Sequence, residues 1–248
     1  MKQFPHIAPL LLILVVAACN PVPAGYDDLY GSAKEITERY YPATSNEQTG
    51  VFDFDPSDIY LEVTRKFDRK GNCIYRREKY SKQTFGEQHS KYDSQRRLVS
   101  HTHYSQDGSN KSEMVDSLIH KAGSNYTYLR FDRYKPGQQD TLKIKHSEQT
   151  AQSYLNGNLI KEIRWNKYQQ PVEEIFYKAE GEAYLTKLYH YELKSLLSSE
   201  TRINKQDTEL LLNTRYAYLE LDKYGNWTQA AYYYEDKPAF LVFREITY

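Results

Sequence analysis

Two histidines spaced two apart, His101 and His103, are the first residues of this chain that could hold a metal ion. Alternate residues of a strand point to the same face, so both imidazoles would share one side. That makes a half-site of the kind Zn²⁺ or Cu²⁺ uses. No further ligand lies close in sequence: His89, His120, His146 and His190 are scattered. A pair of solvated histidines is the favoured reading of the spacing, and neither a metal nor another cofactor is expected.

Carboxylates are the second source of chemistry. Glu173 adjoins Glu174, Glu180 precedes Glu182 by two, and Asp53, Asp55 and Asp58 cluster in one loop. Paired acids are what glycoside hydrolysis needs, so an envelope hydrolase is one functional alternative. The stretch from Asp53 to Asp58 has part of a calcium loop's spacing. It lacks the glycine and the terminal bidentate glutamate of an EF-hand, which favours a solvated loop. Nucleophile elbow, P-loop, dinucleotide fingerprint and HExxH are all missing from the sequence. These readings make catalysis the less favoured class.

Aromatic residues supply a third candidate. The chain has 25 Tyr, 9 Phe and 2 Trp against a polar background. Tyr232-Tyr233-Tyr234, with Tyr216, Tyr218, Tyr224 and Trp227, could form an exposed platform that stacks on sugars or fills a protein interface. The competing reading is a cross-strand ladder that stabilises a sheet. Consecutive tyrosines must point to opposite faces.

The elements that position these residues read as strands. Ile59 to Phe67 alternates, with Ile59, Leu61, Val63 and Phe67 on one face and Arg65 as the exception. Asp68 to Asn72 is a turn, and Cys73 to Tyr80 returns. Further strands are expected near 86–92, 97–104, 126–131, 141–147, 159–165, 172–178, 184–192, 196–203, 209–221, 227–234 and 239–248. Lys111 to Ala122 is ambiguous and is read as a strand. The spacing yields an all-β chain: a long antiparallel meander of hairpins, twisted as an open sheet or half-barrel. Lys, Arg and Glu fall on both faces of these strands, which argues against a membrane barrel.

The first nineteen residues carry an address. Lys2 precedes an apolar run, Leu10 to Val16, that ends in Ala17-Ala18-Cys19. A run this short is a secretory signal, since a spanning helix needs roughly 20 apolar residues. The cysteine after two small residues resembles a bacterial lipoprotein signal. That resemblance implies cleavage before Cys19 and acylation of its thiol and new amine. Asn20, by the same likeness, implies sorting to the outer membrane, with the face undetermined. The division is then 1–18 signal, 19–31 lipidated cysteine and tether, and 32–248 one β domain.

Composition narrows the partners. Basic and acidic residues number 33 each. A neutral balance argues against nucleic acid and against charge-driven binding to an anionic membrane. Of two cysteines, Cys19 is consumed by lipid, so Cys73 remains single and reads as a small buried hydrophobe.

An internal unit recurs: an aromatic or apolar residue, then Asp or Asn, then a short turn. It stands at Phe67-Asp68-Arg69-Lys70-Gly71-Asn72, Tyr92-Asp93-Ser94-Gln95-Arg96-Arg97, Phe131-Asp132-Arg133-Tyr134, Trp165-Asn166-Lys167-Tyr168 and Leu221-Asp222-Lys223-Tyr224-Gly225-Asn226. The pattern resembles the YD (RHS-type) hairpin repeats and related repeats of Gram-negative lipoproteins, over about 59–248. It implies a scaffold or binding surface, or a toxin- or immunity-associated protein. Asp116-Ser117-Leu118 and Asp140-Thr141-Leu142 also resemble acceptor triplets of bacterial O-glycosylation. The reading favoured overall is a non-catalytic envelope lipoprotein that presents a Tyr-rich sheet to a protein or glycan.

Overall fold

In the computed structural model the described residues are 33–248, apart from 46–50, 82–84, 108, 109, 136, 169, 193–195 and 206–209. The signal, Cys19 and the tether up to 32 lie outside them.

The strands are β1 (Glu35–Ser45), β2 (Phe52–Phe54), β3 (Leu61–Phe67), β4 (Cys73–Tyr80), β5 (Phe85–Tyr92), β6 (Leu98–Asp107), β7 (Asn110–Ala122), β8 (Asn125–Asp132) and β9 (Gln139–His146). They continue as β10 (Thr150–Leu155), β11 (Asn158–Trp165), β12 (Pro171–Tyr177), β13 (Ala183–Glu192), β14 (Leu196–Asn204), β15 (Leu210–Leu221), β16 (Trp227–Tyr234) and β17 (Lys237–Thr247). From β3 to β17 each strand pairs antiparallel with the next, so the expected meander is present.

The expected open sheet or half-barrel is corrected to a closed ring. β1 pairs with β17 from Glu35↔Thr247 to Pro42↔Phe240, and with β3 from Glu35↔Lys66 to Tyr40↔Leu61. It thereby joins the two ends of the meander into a 16-strand barrel of β1 and β3–β17. Closure pairs the backbone groups that open edges would leave free. Beyond Tyr40, β1 leaves β3 and takes β2 as partner (Ala43↔Phe54, Ser45↔Phe52).

Turn chemistry sets the hairpins. The Asp or Asn of all five recurring units bonds back to the turn. Asp68 Oδ1 accepts from the Lys70 and Asn72 amides, and Asp222 Oδ1 from Tyr224 and Asn226. Asp93 and Asn166 repeat this, and Asp132 accepts from Tyr134. A short side-chain acceptor satisfies amides that the turn would otherwise leave unpaired. The β10–β11 hairpin instead uses Asn156-Gly157, both at positive φ (50° and 90°), as the tight primed turn requires.

A closed ring has one inside and one outside. Side chains on one face, such as Ile36, Val63, Leu142, Phe176 and Val242, are buried, whereas those on the other are mostly half-buried or exposed. Only β2 lies over either face among the described elements, so the buried face is the inside. One inward cluster joins Trp227, Ala230 and Val242 with Tyr40, Tyr218, Tyr232 and Phe240. A second gathers Leu142, Ile144 and Tyr128 with Leu98. On the outside, the β1–β2 hairpin covers Ala231 and Leu241 with Phe52 and Phe54, and Phe243 stacks obliquely on Phe54 at 5.5 Å.

Candidate functional site

The inward face carries a belt of buried charge between these clusters. Glu38 of β1 accepts from Arg244 of β17 (2.8 Å to Nε, 2.5 Å to Nη2) and from Arg65 of β3 (2.6 Å). Arg65 was the odd residue in the first strand's apolar face. It is inward because Glu38, two strand positions along the partner, receives its charge. The two arginines overcome the burial penalty and hold the Glu38 carboxyl at about 2. Arg244 also lies 3.5 Å over the Trp227 ring.

The belt continues around the ring. Arg130 of β8 grips Asp116 of β7 through two 2.7 Å bonds, both side chains nearly excluded from water. Lys161 of β11 meets Glu174 of β12 at 3.0 Å, and Glu200 of β14 accepts from Arg202 at 2.6 Å with Lys187 of β13 at 3.8 Å. Burial lowers the pKa of both lysines, although Glu174 and Glu200 act in the opposite direction. A round 16-strand barrel can enclose an aqueous channel. Here Glu38, Asp116 and Arg130 are closed to solvent, at 4, 4 and 6 % exposure, while Arg202 and Arg65 keep partial access.

His101 and His103 share the inward face of β6, as their spacing predicted. The His101 Nδ1 lies 3.2 Å from Ser90 Oγ, and its Nε2 is buried without a hydrogen-bond partner. The His103 ring lies beside Gly86, where a Cβ would be in ordinary contact with Nε2 at 3.9 Å. Burial lowers the His101 pKa to about 4, against the pull of Asp116, and lowers that of His103 as well. Both are therefore neutral near neutral pH. Among the described residues no group of three or more His, Cys, Asp or Glu is placed to hold a metal ion.

The other candidates disperse. Glu173 and Glu174 point to opposite faces, one bonded to Arg164 outside and the other to Lys161 inside. Asp55 caps its own loop by accepting from the Ser57 amide and hydroxyl, and Glu180 and Glu182 sit in an exposed turn. Cys73 is half-buried, with Sγ 3.3 Å from the Tyr75 carbonyl.

The tyrosine group divides between faces. Tyr216, Tyr218 and Tyr232 point inward with Trp227, and Tyr216 meets Tyr232 edge-on at 4.6 Å. Tyr233 points outward under Arg215 (4.0 Å) and beside Phe52. Tyr234 is at one end of its strand, and Tyr224 is exposed in the turn at the other. Four of the seven thus belong to the core, and the group does not form one outward platform. Tyr218 and Tyr191 serve a further purpose: each hydroxyl donates to a backbone carbonyl, of Leu197 and Pro171 respectively.

The outer wall is polar. Arg39 joins Glu62 and Glu245, Arg164 joins Glu162 and Glu173, and Lys66 pairs with Glu35. A shallow depression of about 420 Å³ on this wall is lined by Glu35, Thr64, Lys66, Tyr75 and Arg77. Ser117 and Thr141 of the two triplets flank Leu129 on the same wall. Lipid-facing positions of a membrane barrel are apolar, and charge there is strongly disfavoured.

No family model and no curated protein matches the chain. Among solved structures it is similar to a porin-like protein from Bacteroides uniformis, at 11% identity and a TM-score of 0.35. The match covers 88% of this chain and 99% of that one.

Proposed function

We propose that this chain is a non-catalytic lipoprotein of the bacterial envelope, anchored through Cys19, whose barrel wall is a binding surface for a protein or a glycan. One observation carries the reading. The inward acids are paired with basic side chains and largely closed to water, and the candidate acids outside, Glu173, Asp55, Glu180 and Glu182, do not converge. A substrate reaching the barrel meets a stable polar wall with small aromatic depressions, not a set of convergent free acids or bases. The ion pairs on the wall also support a separate anchor, because charge at lipid-facing positions of a membrane barrel is strongly disfavoured. The Leu10–Val16 run before Ala17-Ala18-Cys19 supplies one, and lipid chains at a single cysteine give stable attachment when there are two or more. The five Asx-capped turns fit the likeness to YD-type hairpin repeats, which serve as scaffolds.

The test is metabolic labelling with a fatty-acid analogue, in native cells and in cells making Cys19→Ala, followed by fractionation and protease treatment of intact cells. The proposal expects label on the native protein only, and loss of membrane attachment in the variant. Protease sensitivity then reports the face. An unlabelled native protein that fractionates like the variant would overturn it.

A further inference from the structure

The two ends of the barrel differ in charge, and the chain enters at one of them. Lys34 donates from its amide to Thr247 and from Nζ to the Tyr248 carbonyl, so β1 begins and β17 ends at the same rim. Antiparallel order places the β3–β4, β5–β6, β11–β12 and β15–β16 turns at this terminal rim. Four of the five Asx-capped units are therefore together at one end. In each, the capping side chain binds the backbone inward and leaves the next two residues projecting. Those residues are Arg69 and Lys70, Ser94 and Gln95, Lys167 and Tyr168, and Lys223 and Tyr224. In the last two pairs the lysine lies over the tyrosine ring, at 5.1 and 4.9 Å.

Apolar side chains lie just behind the basic tips. Tyr168, Tyr224, Leu221 and Ile74 are 45, 44, 57 and 38 % exposed. Ile119 and Leu219, at 59 and 44 %, occupy the β7–β8 register slip and the first of the two β15–β16 slips. Bulges at barrel rims re-aim side chains, and both of these aim an aliphatic chain outward. The far rim also exposes aromatics, but acidic residues lead there: Asp53, Asp55, Asp58, Glu180, Glu182 and the Glu235-Asp236 pair, beside Arg133, Lys135, Lys178, Lys205 and Lys237. The fifth unit is at that end, where Arg133 is bound to Glu113 at 2.6 Å. The neutral whole-chain balance thus hides a polarised molecule.

We infer that the terminal rim docks on an anionic phospholipid surface, with the lysines and Arg69 at the headgroups and the tyrosines and aliphatic chains at the interface. This rests on the lipoprotein reading only for the identity of the membrane at hand. About fourteen residues separate Cys19 from Ala33, a reach of up to about 50 Å. A strand of eight residues spans only about 26 Å. That length by itself is enough for either rim to meet the bilayer, and the rim chemistry fixes which end faces it. Basic side chains near anionic lipid and aromatic rings at the interface are each favourable.

The test uses the chain from residue 19 onward with Cys19→Ser, so that no lipid is attached, and vesicles of phosphatidylglycerol in phosphatidylcholine. Binding is expected to phosphatidylglycerol vesicles and not to pure phosphatidylcholine, and to fall with added salt. Arg69→Glu, Lys70→Glu, Lys167→Glu and Lys223→Glu together should weaken it about a thousandfold at low salt, as about one kcal/mol per basic residue implies. The milder Lys167→Gln/Lys223→Gln pair keeps the test open should the fourfold variant misfold. Arg133→Glu/Lys135→Glu at the far rim should leave binding unchanged. No phosphatidylglycerol binding, or equal loss from changes at either rim, would overturn the inference. Vesicle binding without label on Cys19 in cells would support the rim while removing the anchor. Label without vesicle binding would remove the rim and keep the anchor.

Discussion

Inside the barrel Arg130 and Asp116 meet at 2.7 Å with both side chains nearly dry; outside, Arg164 bridges Glu162 and Glu173 with half its side chain in water. The bonds are of the same kind and length, but their energetic meaning differs. An exposed pair exchanges strong hydration for weak attraction and contributes little. A buried pair is a commitment: neither partner can be removed without stranding the other in a medium that does not solvate it. The inward belt therefore specifies which strands are neighbours, whereas the outer wall is free to carry polar residues for solubility and recognition.

That contrast sharpens into measurements. The largest effect is expected at Glu38, which receives two arginines from the strands on either side of the closing strand. Glu38→Ala should lower stability by about 3–5 kcal/mol in urea unfolding, because Arg65 and Arg244 are left facing each other. Asp116→Leu alone should cost a similar amount, and Arg130→Met added to it should recover most of the loss. A double variant no more stable than the single would show that the pair is not the unit that matters.

The next effect is on pH. His101 is held neutral, with a folded pKa of about 4 against about 6.5 unfolded. A depressed histidine binds its proton more readily when unfolded. Stability is thus whole above the unfolded value and is lost as pH falls from there through the folded one, by up to about 3 kcal/mol. His103 and His146 are shifted the same way. Glu38 adds its own loss at lower pH, between its unfolded value and about 2. Urea midpoints measured from about pH 7 to about pH 4 should fall steadily, and His101→Gln should flatten that fall. An unchanged slope in the variant would assign the acid sensitivity elsewhere.

Smaller effects belong to the surface. Asn166→Ala removes the acceptor for the Tyr168 and Gln170 amides and should cost about 1 kcal/mol. Arg164→Ala on the outer wall should change the urea midpoint by less than about 1 kcal/mol. A larger change there than at Asp116 would reverse the comparison between faces.

Most strands were legible in the sequence, because alternation and Asx-type turns are local signals. The ambiguous run at Lys111 to Ala122 is β7, and the five recurring turns form as their residue types require. What local reading missed was closure. β1 carries Glu, Thr, Arg and Pro42 and shows no clean alternation, since its inward residues include Glu38 and its outward ones Tyr41. Its β17 partners, which close the ring, are about 200 residues away, a distance over which no sequence pattern reports pairing. β10 was missed for a related reason: Thr150 to Leu155 is short and follows a brief polar turn. The site residues were less legible still. Arg65 registered only as an exception in an apolar face, and its meaning depended on Glu38 from the unrecognised strand. The tyrosine cluster was read as one group, but the period of two divides it between core and surface.

The closed barrel pairs its charges inside and carries ion pairs on its outer wall; the central proposal is that it is attached to the membrane and not inserted in it. Alkaline extraction of envelope membranes from cells making Cys19→Ala tests this directly. The account predicts that the variant is released in full as a folded soluble protein. Retention of the variant in the extracted membrane as an integral protein would contradict it.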